Sequence, residues 1–295
     1  MSTSDATTGP LASRSRAREL NFPPLTPDLA ERFELGELLG LGTYGEVYRA
    51  VDTALEREVA LKLFGLHVPS AYIRHEALAL ARVEHKNVLS IHDLQVYDGR
   101  ACLVMELVLG GSLHKRARQS ESQREILGWF AQAARGLEAM HNAGLAHGDV
   151  KPSNILVHLD DRVVIADLGL VHGPGLRWRG RRSGGTHLYM APERAKGARV
   201  EPRSDQFSLC VAVWEALYGE QLEVDRGRVT LRRVNTLRRF DEVPRELELG
   251  LRRGMSQEPT DRFVHMAELA ALLEAHAKPR RSGFRRVLQD LTGRT

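Results

Sequence analysis

The chain has 295 residues, enough for one large or two medium cores, and its 42% hydrophobic and 27% charged content is that of an ordinary globular protein. Apolar runs such as 102–108 are too short to cross a bilayer, and residues 1–18 are Ser/Thr/Ala-rich with arginines and no apolar stretch, which argues against a secretory signal. The net charge of +4 concentrates at 177–182 and 278–286, but no helix-turn-helix, zinc-ligand spacing or aromatic stacking run accompanies it, so a solvated basic loop and tail is favoured over nucleic acid as the main partner.

Residues 1–30 read as a disordered or loosely packed tail. They lack periodicity, and Phe22-Pro23-Pro24-Leu25-Thr26-Pro27 suits neither a helix interior nor a central strand. Phe22 and Leu25 are the side chains that would anchor this tail to a neighbouring lobe if it packs. From 33 to 59 the pattern is strand, glycine turn, strand, with Val47 and Ala50 in the second strand, and 58–64 reads as a third. An amphipathic helix is predicted over 70–82, where Ile73, Ala77, Leu80 and Ala81 recur at spacings of three and four, and Glu76 lies on it. Residues 88–96 and 101–107 read as two more strands around a turn at Asp98-Gly99. Residues 31–108 thus make a five-stranded antiparallel sheet with one helix.

Gly110-Gly111 breaks the pattern, and 111–277 is mainly helical. A long helix is predicted over 121–144, with Trp129, Phe130, Ala133, Leu137 and Met140 on one face. Residues 155–157 and 162–165 form a short hairpin. The almost wholly apolar 204–218 should be a buried helix, and 246–254 and 266–276 are two amphipathic ones. The compressed, charged 219–244 yields no element, and there is no internal repeat. Residues 278–295 form a basic tail with room for a short helix over 284–291. Cys102 and Cys210 sit in apolar runs and read as buried free thiols of a reducing compartment, so the chain is expected in the cytoplasm. The fold class is α+β.

Several motifs carry chemistry. In Gly40-Leu41-Gly42-Thr43-Tyr44-Gly45 the glycines let backbone amides approach phosphate oxygens. The same spacing opens a helix in dinucleotide folds, but here strand-like residues 46–50 come next, which favours a hairpin lid. Lys62, flanked by Ala60, Leu61 and Leu63, needs an anion to neutralise it. His147-Gly148-Asp149-Val150-Lys151-Pro152-Ser153-Asn154 and Asp167-Leu168-Gly169 supply two carboxylates, a cation and an amide, and the 155–165 hairpin would bring Asn154 and Asp167 together. Phosphoryl transfer needs such a set: a positioned nucleophile, a cation at the developing charge and hard-oxygen metal ligands.

Taken in order with Ala191-Pro192-Glu193, these segments resemble the signature of the protein kinase superfamily over about residues 33–276. The resemblance implies two unequal lobes sharing one cleft, the small lobe over about 31–108 and the large over about 111–277. Lys151-Pro152-Ser153-Asn154 resembles the serine/threonine members, and the compact chain resembles the bacterial eukaryotic-like type. The resemblance also implies a role for each site residue. By it, Lys62 pairs with Glu76 and with the nucleotide α/β-phosphates. Asp149 accepts or orients the hydroxyl proton, Lys151 neutralises the migrating phosphoryl group, and Asn154 and Asp167 hold magnesium, with manganese as the alternative ion. Gly40, Leu41, Gly42 and Gly45 cover the ATP phosphates. Val47, Ala60 and Leu156 sandwich the adenine, Met105 stands behind it, and the Glu106 carbonyl and Val108 amide bond to it. Thr186 hydrogen-bonds near Asp149 and Lys151. Glu193 pairs with Arg262, Asp205 accepts amides of the catalytic loop, and Leu80, Ile91, His147 and Leu168 stack between the lobes.

Two departures stand out. Gly148 replaces an arginine that in many members meets an activation-loop phosphate, so dependence on that phosphate should be weak. Leu168 replaces a more usual phenylalanine. The 167–193 segment is arginine-rich, and Ser183 in it is either a regulatory site or part of a solvated loop; an acidic docking partner is the other functional option. The expected function is ATP-dependent transfer of the γ-phosphoryl group to a Ser/Thr hydroxyl of a protein substrate. A nucleotide-binding scaffold without turnover and a small-molecule kinase are the rivals.

Overall fold

The computed structural model describes residues 27–42, 44–97, 100–167, 186–225, 228–233, 240 and 242–277. Within them, the side chains of Pro27, Asp28, His75, Glu76, Tyr97, Thr186 and His187 and those of residues 220–233 are not described.

The small lobe opens with a short helix, α1 (Pro27–Arg32), followed by β1 (Phe33–Gly42), β2 (Gly45–Asp52), β3 (Arg57–Phe64), α2 (Ser70–Leu80), β4 (Ile91–Tyr97) and β5 (Arg100–Met105). The five strands form one antiparallel sheet in the order β1-β2-β3-β5-β4. Strand side chains alternate between faces, and β3 uses this fully. Val59, Leu61 and Leu63 pack outward with Phe33, Ala50, Cys102 and Val104, while Ala60 and Phe64 face the main core with Leu103 and Met105. Lys62 lies on that second face. A slip of one residue in the β2–β3 register would carry it to the outer side of the sheet.

Helix α1 starts at Pro27, so residues 27–30 are helical and not part of the loose tail expected over 1–30. Leu29 is 3% exposed and packs beside Phe33. Arg32 then reaches Asp52 at 3.1 Å and Asp93 at 2.8 Å, partners that lie far along the chain. Two fixed anions and a buried leucine hold a six-residue helix that has too few turns to persist alone.

The large lobe contains α3 (Leu113–Gln119), α4 (Gln123–Asn142), β6 (Ile155–Val157), β7 (Val163–Ile165), α5 (Pro192–Ala195), α6 (Pro202–Tyr218), β8 (Glu220–Asp225), β9 (Arg228–Arg233), α7 (Arg245–Gly254) and α8 (Met266–Ala277). Ser122 caps α4 by accepting the Glu125 amide at 3.2 Å, and one face of the helix buries Trp129, Phe130, Ala133, Leu137 and Met140. Helix α6 is buried almost all round and stops at Gly219, whose φ of 67° is a left-handed end that glycine adopts without strain.

The lobes are joined twice: by 106–112 and by the crossing at 85–89. In the crossing, Leu89 N donates to Ile165 O at 3.0 Å and Ile165 N to Asn87 O at 2.9 Å. This explains why β4 starts at Ile91 rather than Val88, since the backbone at 88–89 pairs with β7 of the large lobe. Gly136 lets α4 come close to this crossing, because a Cβ there would lie 2.3 Å from Asn87 O. The expected strand over 101–107 ends at Met105, and the segment read as featureless over 219–244 contains the β8–β9 hairpin.

Both thiols are free and buried; burial raises Cys102 and Cys210 to about 12, so neither is a ready nucleophile. Among the described residues, no helix is long and apolar enough to cross a membrane.

Candidate active site

Lys62 projects from β3 into the crevice between the lobes and is 6% exposed. Its Nζ donates to Asp167 Oδ1 at 2.9 Å. The same ammonium stands 5.1 Å from the centre of the Phe64 ring. Asp167 follows β7 and has a φ of 67°, in the left-handed region where Asp is among the few tolerated side chains. Burial pushes the Asp167 carboxyl up, but the charge and hydrogen bond of Lys62 outweigh it and hold the pKa at about 2. Asp167 is therefore ionised at neutral pH, and the 40% of its side-chain surface that is open to solvent favours the same state.

Asp149 occupies the loop between α4 and β6. Its Oδ2 accepts Lys151 Nζ at 2.6 Å and Asn154 Nδ2 at 3.0 Å. Asn154 Nδ2 also donates to the Asp149 carbonyl at 2.9 Å. Asp149 Oδ1 is buried and has no hydrogen-bond partner among the described residues. A buried carboxylate oxygen without a donor is costly, so this atom marks where a donor from outside would be received.

The loop is held from below. The Asp205 carboxylate, at the head of α6, accepts the amides of His147 and Gly148, each at 2.8 Å, and His141 Nε2 at 2.9 Å. Burial pushes the Asp205 carboxyl up, but the His141 hydrogen bond and charge and the loop amide hold it below its ordinary value. His147 Nε2 meets Ala166 O at 3.0 Å while its Nδ1 receives the Asp149 amide at 3.2 Å. That pairing requires a neutral ring with its proton on Nε2. Ala166 N donates to Asn154 O at 2.8 Å, which brings the loop and the approach to Asp167 side by side. Gly148 has a φ of 79°, a conformation that a larger side chain adopts only under strain.

The glycine loop lies across β1 and β2, where Gly40 pairs with Val47, Leu41 with Glu46 and Gly42 with Gly45. Gly45 is required by the fold, since a Cβ would sit 2.0 Å from Leu63 O. At Gly40 no atom lies within 4 Å of an added Cβ, and at Gly42 only Gly45 O does, at 3.5 Å. Their φ values are not positive, so the chain itself gives neither position a reason to be glycine. Leu41 is exposed, and Thr43 lies outside the described residues.

The positions expected around an adenine are gathered on the crevice face. Ala60 pairs with Met105 across β3 and β5, and Val47 and Leu156 pack as half-buried members of the same apolar cluster. Among the described residues neither the Glu106 carbonyl nor the Val108 amide is hydrogen-bonded. Leu80 and His147 are buried and Ile91 half-buried. Glu76 lies on α2 and Thr186 opens a short 3-10 turn at Thr186–Tyr189; their side chains are outside the described set, as is the expected Lys62–Glu76 pair. Leu168, Gly169, Ser183 and the arginines of 177–182 are outside it too.

Glu193 and Arg262 form a bidentate pair with both contacts at 2.8 Å. Arg262 also donates to the carbonyls of Ser256, Arg203 and Gln257, at 2.9, 2.9 and 3.3 Å, so its whole fork is satisfied although its side chain is fully buried. Ser204 Oγ adds a bond to Glu193 at 3.0 Å. Burial pushes Glu193 up, and the Arg262 hydrogen bonds bring it below its ordinary value.

The sequence matches the family described as "Protein kinase domain" over residues 33–275. The chain belongs to the protein kinase family. It is similar to serine/threonine-protein kinase PknE of Mycobacterium tuberculosis, with 33% identity over 263 residues, covering 83% of this chain and 46% of PknE. It is 33% identical to PknD of the same species over 257 residues, 81% of this chain and 38% of PknD. For PknB of Mycobacterium leprae the values are 28% over 273 residues, 85% and 44%. The chain spans less than half the length of each of these curated relatives.

The two lobes are those of the protein kinase fold. The donors present suit a hard cation. Asp167 is ionised, and Asn154 turns its nitrogen to Asp149, leaving Oδ1 with a marginal 3.5 Å contact from the Ser153 hydroxyl. Magnesium takes one or two protein oxygens and completes its shell with water and phosphate, so these two residues would suffice to hold it. Among the described residues there is no cluster of three or more His, Cys, Asp or Glu for a metal.

Sequence reading missed His141 and Ser204. His141 supports the buried Asp205 and Ser204 the half-buried Glu193, each from a distant element, and neither sits in a recognisable motif. His141 lies just past the apolar face of α4, and only the position of Asp205 beneath the loop gives it a partner.

Proposed function

We propose that this chain is an ATP- and magnesium-dependent serine/threonine protein kinase. The observation that carries the reading is Asp149 Oδ1, buried and without a partner among the described residues, beside a cation and an amide on Oδ2. One oxygen is fixed by Lys151 and Asn154, and the other is left for a hydroxyl proton. The serine/threonine class rests on the names of the relatives and on the Lys151-Pro152-Ser153-Asn154 stretch.

Each residue then has a role. The Gly40, Gly42 and Gly45 backbone approaches the triphosphate, and the open space at Gly40 supports close contact with a ligand. Lys62 binds phosphate oxygens and stays tethered to Asp167; Glu76 is the assigned second anion for it. Asn154 and Asp167 would hold magnesium, which when bound neutralises charge on the phosphates. Val47, Ala60, Met105 and Leu156 enclose the base, and the free Glu106 carbonyl and Val108 amide recognise its edge. Asp149 receives the proton of the attacking hydroxyl. The new bond joins that oxygen to the γ-phosphorus, the bond from the γ-phosphorus to the β–γ bridging oxygen breaks, and ADP leaves. Lys151 balances the charge that develops on the phosphoryl oxygens, and Thr186 orients the loop beside it. The two free thiols accord with a cytoplasmic setting.

Radiolabel transfer from γ-labelled ATP to a generic basic protein, followed by phosphoamino acid analysis, tests the reading. Label on serine or threonine, lost in Asp149→Asn, is the expected result. Nucleotide binding without transfer would favour a scaffold, and transfer only to sugar-like acceptors a small-molecule kinase.

A further inference from the structure

Behind the nucleotide crevice, Arg162 makes contacts that no role above uses. It stands at the end of the tight 158–162 turn between β6 and β7, where His158 N donates to Arg162 O at 2.8 Å. Its Nη2 donates to Glu106 Oε2 at 3.0 Å, in the segment joining the lobes. Its Nη1 donates to Lys86 O at 3.1 Å, in the crossing. Nη2 also meets His158 Nε2 at 2.7 Å. A guanidinium only donates, so that nitrogen is an unprotonated acceptor. Burial, and then Arg162 itself, lower the His158 pKa accordingly.

Both ends of this contact are braced. Glu106 N donates to Ser90 O at 3.0 Å, and Ser90 N returns a bond to Glu106 Oε1 at 3.3 Å. On the other side, Gln132 of α4 accepts Val163 N at 3.1 Å and donates to Asp161 O at 3.0 Å, which fixes the turn to a long helix. Arg162 therefore spans from a rigid base to a segment whose next residues, Leu107 and Val108, are in no regular element.

We propose that Arg162 is a positioning residue that locks the joining segment to the large lobe and thereby sets how fast nucleotide leaves the crevice; the second half rests on the nucleotide-binding reading above. Opening of a site and product release limit the turnover of many enzymes. The Glu106–Arg162 bond is charge-assisted and only partly open to water, so its loss should loosen the segment without altering the groups around Asp149.

The test uses the full chain with Arg162→Met, which keeps an unbranched stem and removes the donors. Release of a fluorescent ADP analogue is followed by stopped flow, and single-turnover transfer by rapid quench. The expected result is release faster by roughly 2- to 30-fold, with the single-turnover rate unchanged. Arg162→Lys, which offers one nitrogen to three acceptors, should fall between. Asp161→Asn, which removes only the charge from the exposed Arg116 pair of the same turn, should match the wild type. Hydrogen exchange of the 105–109 backbone in the nucleotide-free protein gives an independent reading, and Arg162→Met should speed it. If wild type fails to bind the analogue, the nucleotide reading falls and exchange alone decides the lock. Unchanged release and unchanged exchange would overturn the proposal. Equal slowing of the single-turnover rate would do so as well, because it would place Arg162 in the chemistry or in general stability.

Discussion

Lys62 and Asp167, 105 residues apart, are joined by one 2.9 Å contact that ties the sheet of the small lobe to the end of β7 in the large one. The contact links an ammonium that needs an anion to a carboxylate that it keeps ionised, the state in which Asp167 would hold the proposed cation. It also makes the lobes mutually dependent, since each charge is half-stranded without the other.

Replacing Lys62 by Met separates these roles. The Asp167 carboxyl loses the group that holds it at about 2, and burial then drives it upward. Transfer should fall on the order of 10²- to 10³-fold, as expected for removal of one fixed electrostatic contact in a site of this kind. Steady-state kinetics at saturating ATP measures it, and a fall of less than threefold would remove Lys62 from the phosphate contacts.

Asp149→Asn keeps the shape of the loop and removes the proton acceptor. Turnover should drop by roughly 10²- to 10⁴-fold, while affinity for ATP, measured by calorimetry, stays within a factor of about two of the wild type. A matched loss of binding would mean that Asp149 organises the crevice rather than the hydroxyl.

Much of the sheet was legible in the sequence, from strand-like runs around the glycine turn. Lys62, Asp149, Asn154 and Asp167 were singled out by motif order; the fold joins Lys62 to Asp167 and Asn154 to Asp149, and their roles are those proposed above. The large helices were legible from their apolar faces, as with Trp129, Phe130 and Leu137 on α4. Helix α1 was not, because it depends on Asp52 and Asp93, which lie 20 and 61 residues from Arg32. Nor were α3, whose single turns bury only Leu113 and Ala117, and the β8–β9 hairpin, whose charged sequence lacks the usual turn pair. The start of β4 was misjudged at Val88 because an apolar run cannot say which of two neighbouring strands will claim its backbone.

Arg262→Ala should be severe. It strands Glu193 in a half-buried site and frees three carbonyls, and loss of one partner of a buried pair costs about 3–5 kcal/mol. Urea unfolding should show this, with Arg262→Lys only partly restoring stability because an ammonium cannot serve five directions. Destabilisation below about 1 kcal/mol would mark the pair as exposed in solution.

Acidification gives a further check. Burial, assisted by Lys86 and Arg162 respectively, holds His85 and His158 below their ordinary value. As pH falls through about 6.5, the unfolded chain takes up protons before the folded one, so stability declines. The urea midpoint should be lower at pH 5.5 than at pH 7.5, and His158→Gln should reduce the difference. Asp167 adds nothing in this window, since its contribution is lost only as pH falls through about 2.

Gly148 makes a prediction about control. Its amide is engaged by Asp205 and it carries no cation to meet a phosphate. Protein stripped by phosphatase should retain most of its transfer activity, measured before any autophosphorylation accumulates. Strong reactivation by incubation with ATP would show that another cation has taken over.

The most direct measurement of the central claim is ATP affinity by calorimetry with and without magnesium, in wild type and in Asp167→Asn. Asn154 and Asp167 together with Lys62 should make wild-type binding clearly tighter with magnesium, and Asp167→Asn should abolish most of that gain while leaving metal-free binding similar. Equal magnesium enhancement in both proteins would contradict the assignment of Asp167, and with it the account of a crevice built to hold a metal-bound triphosphate.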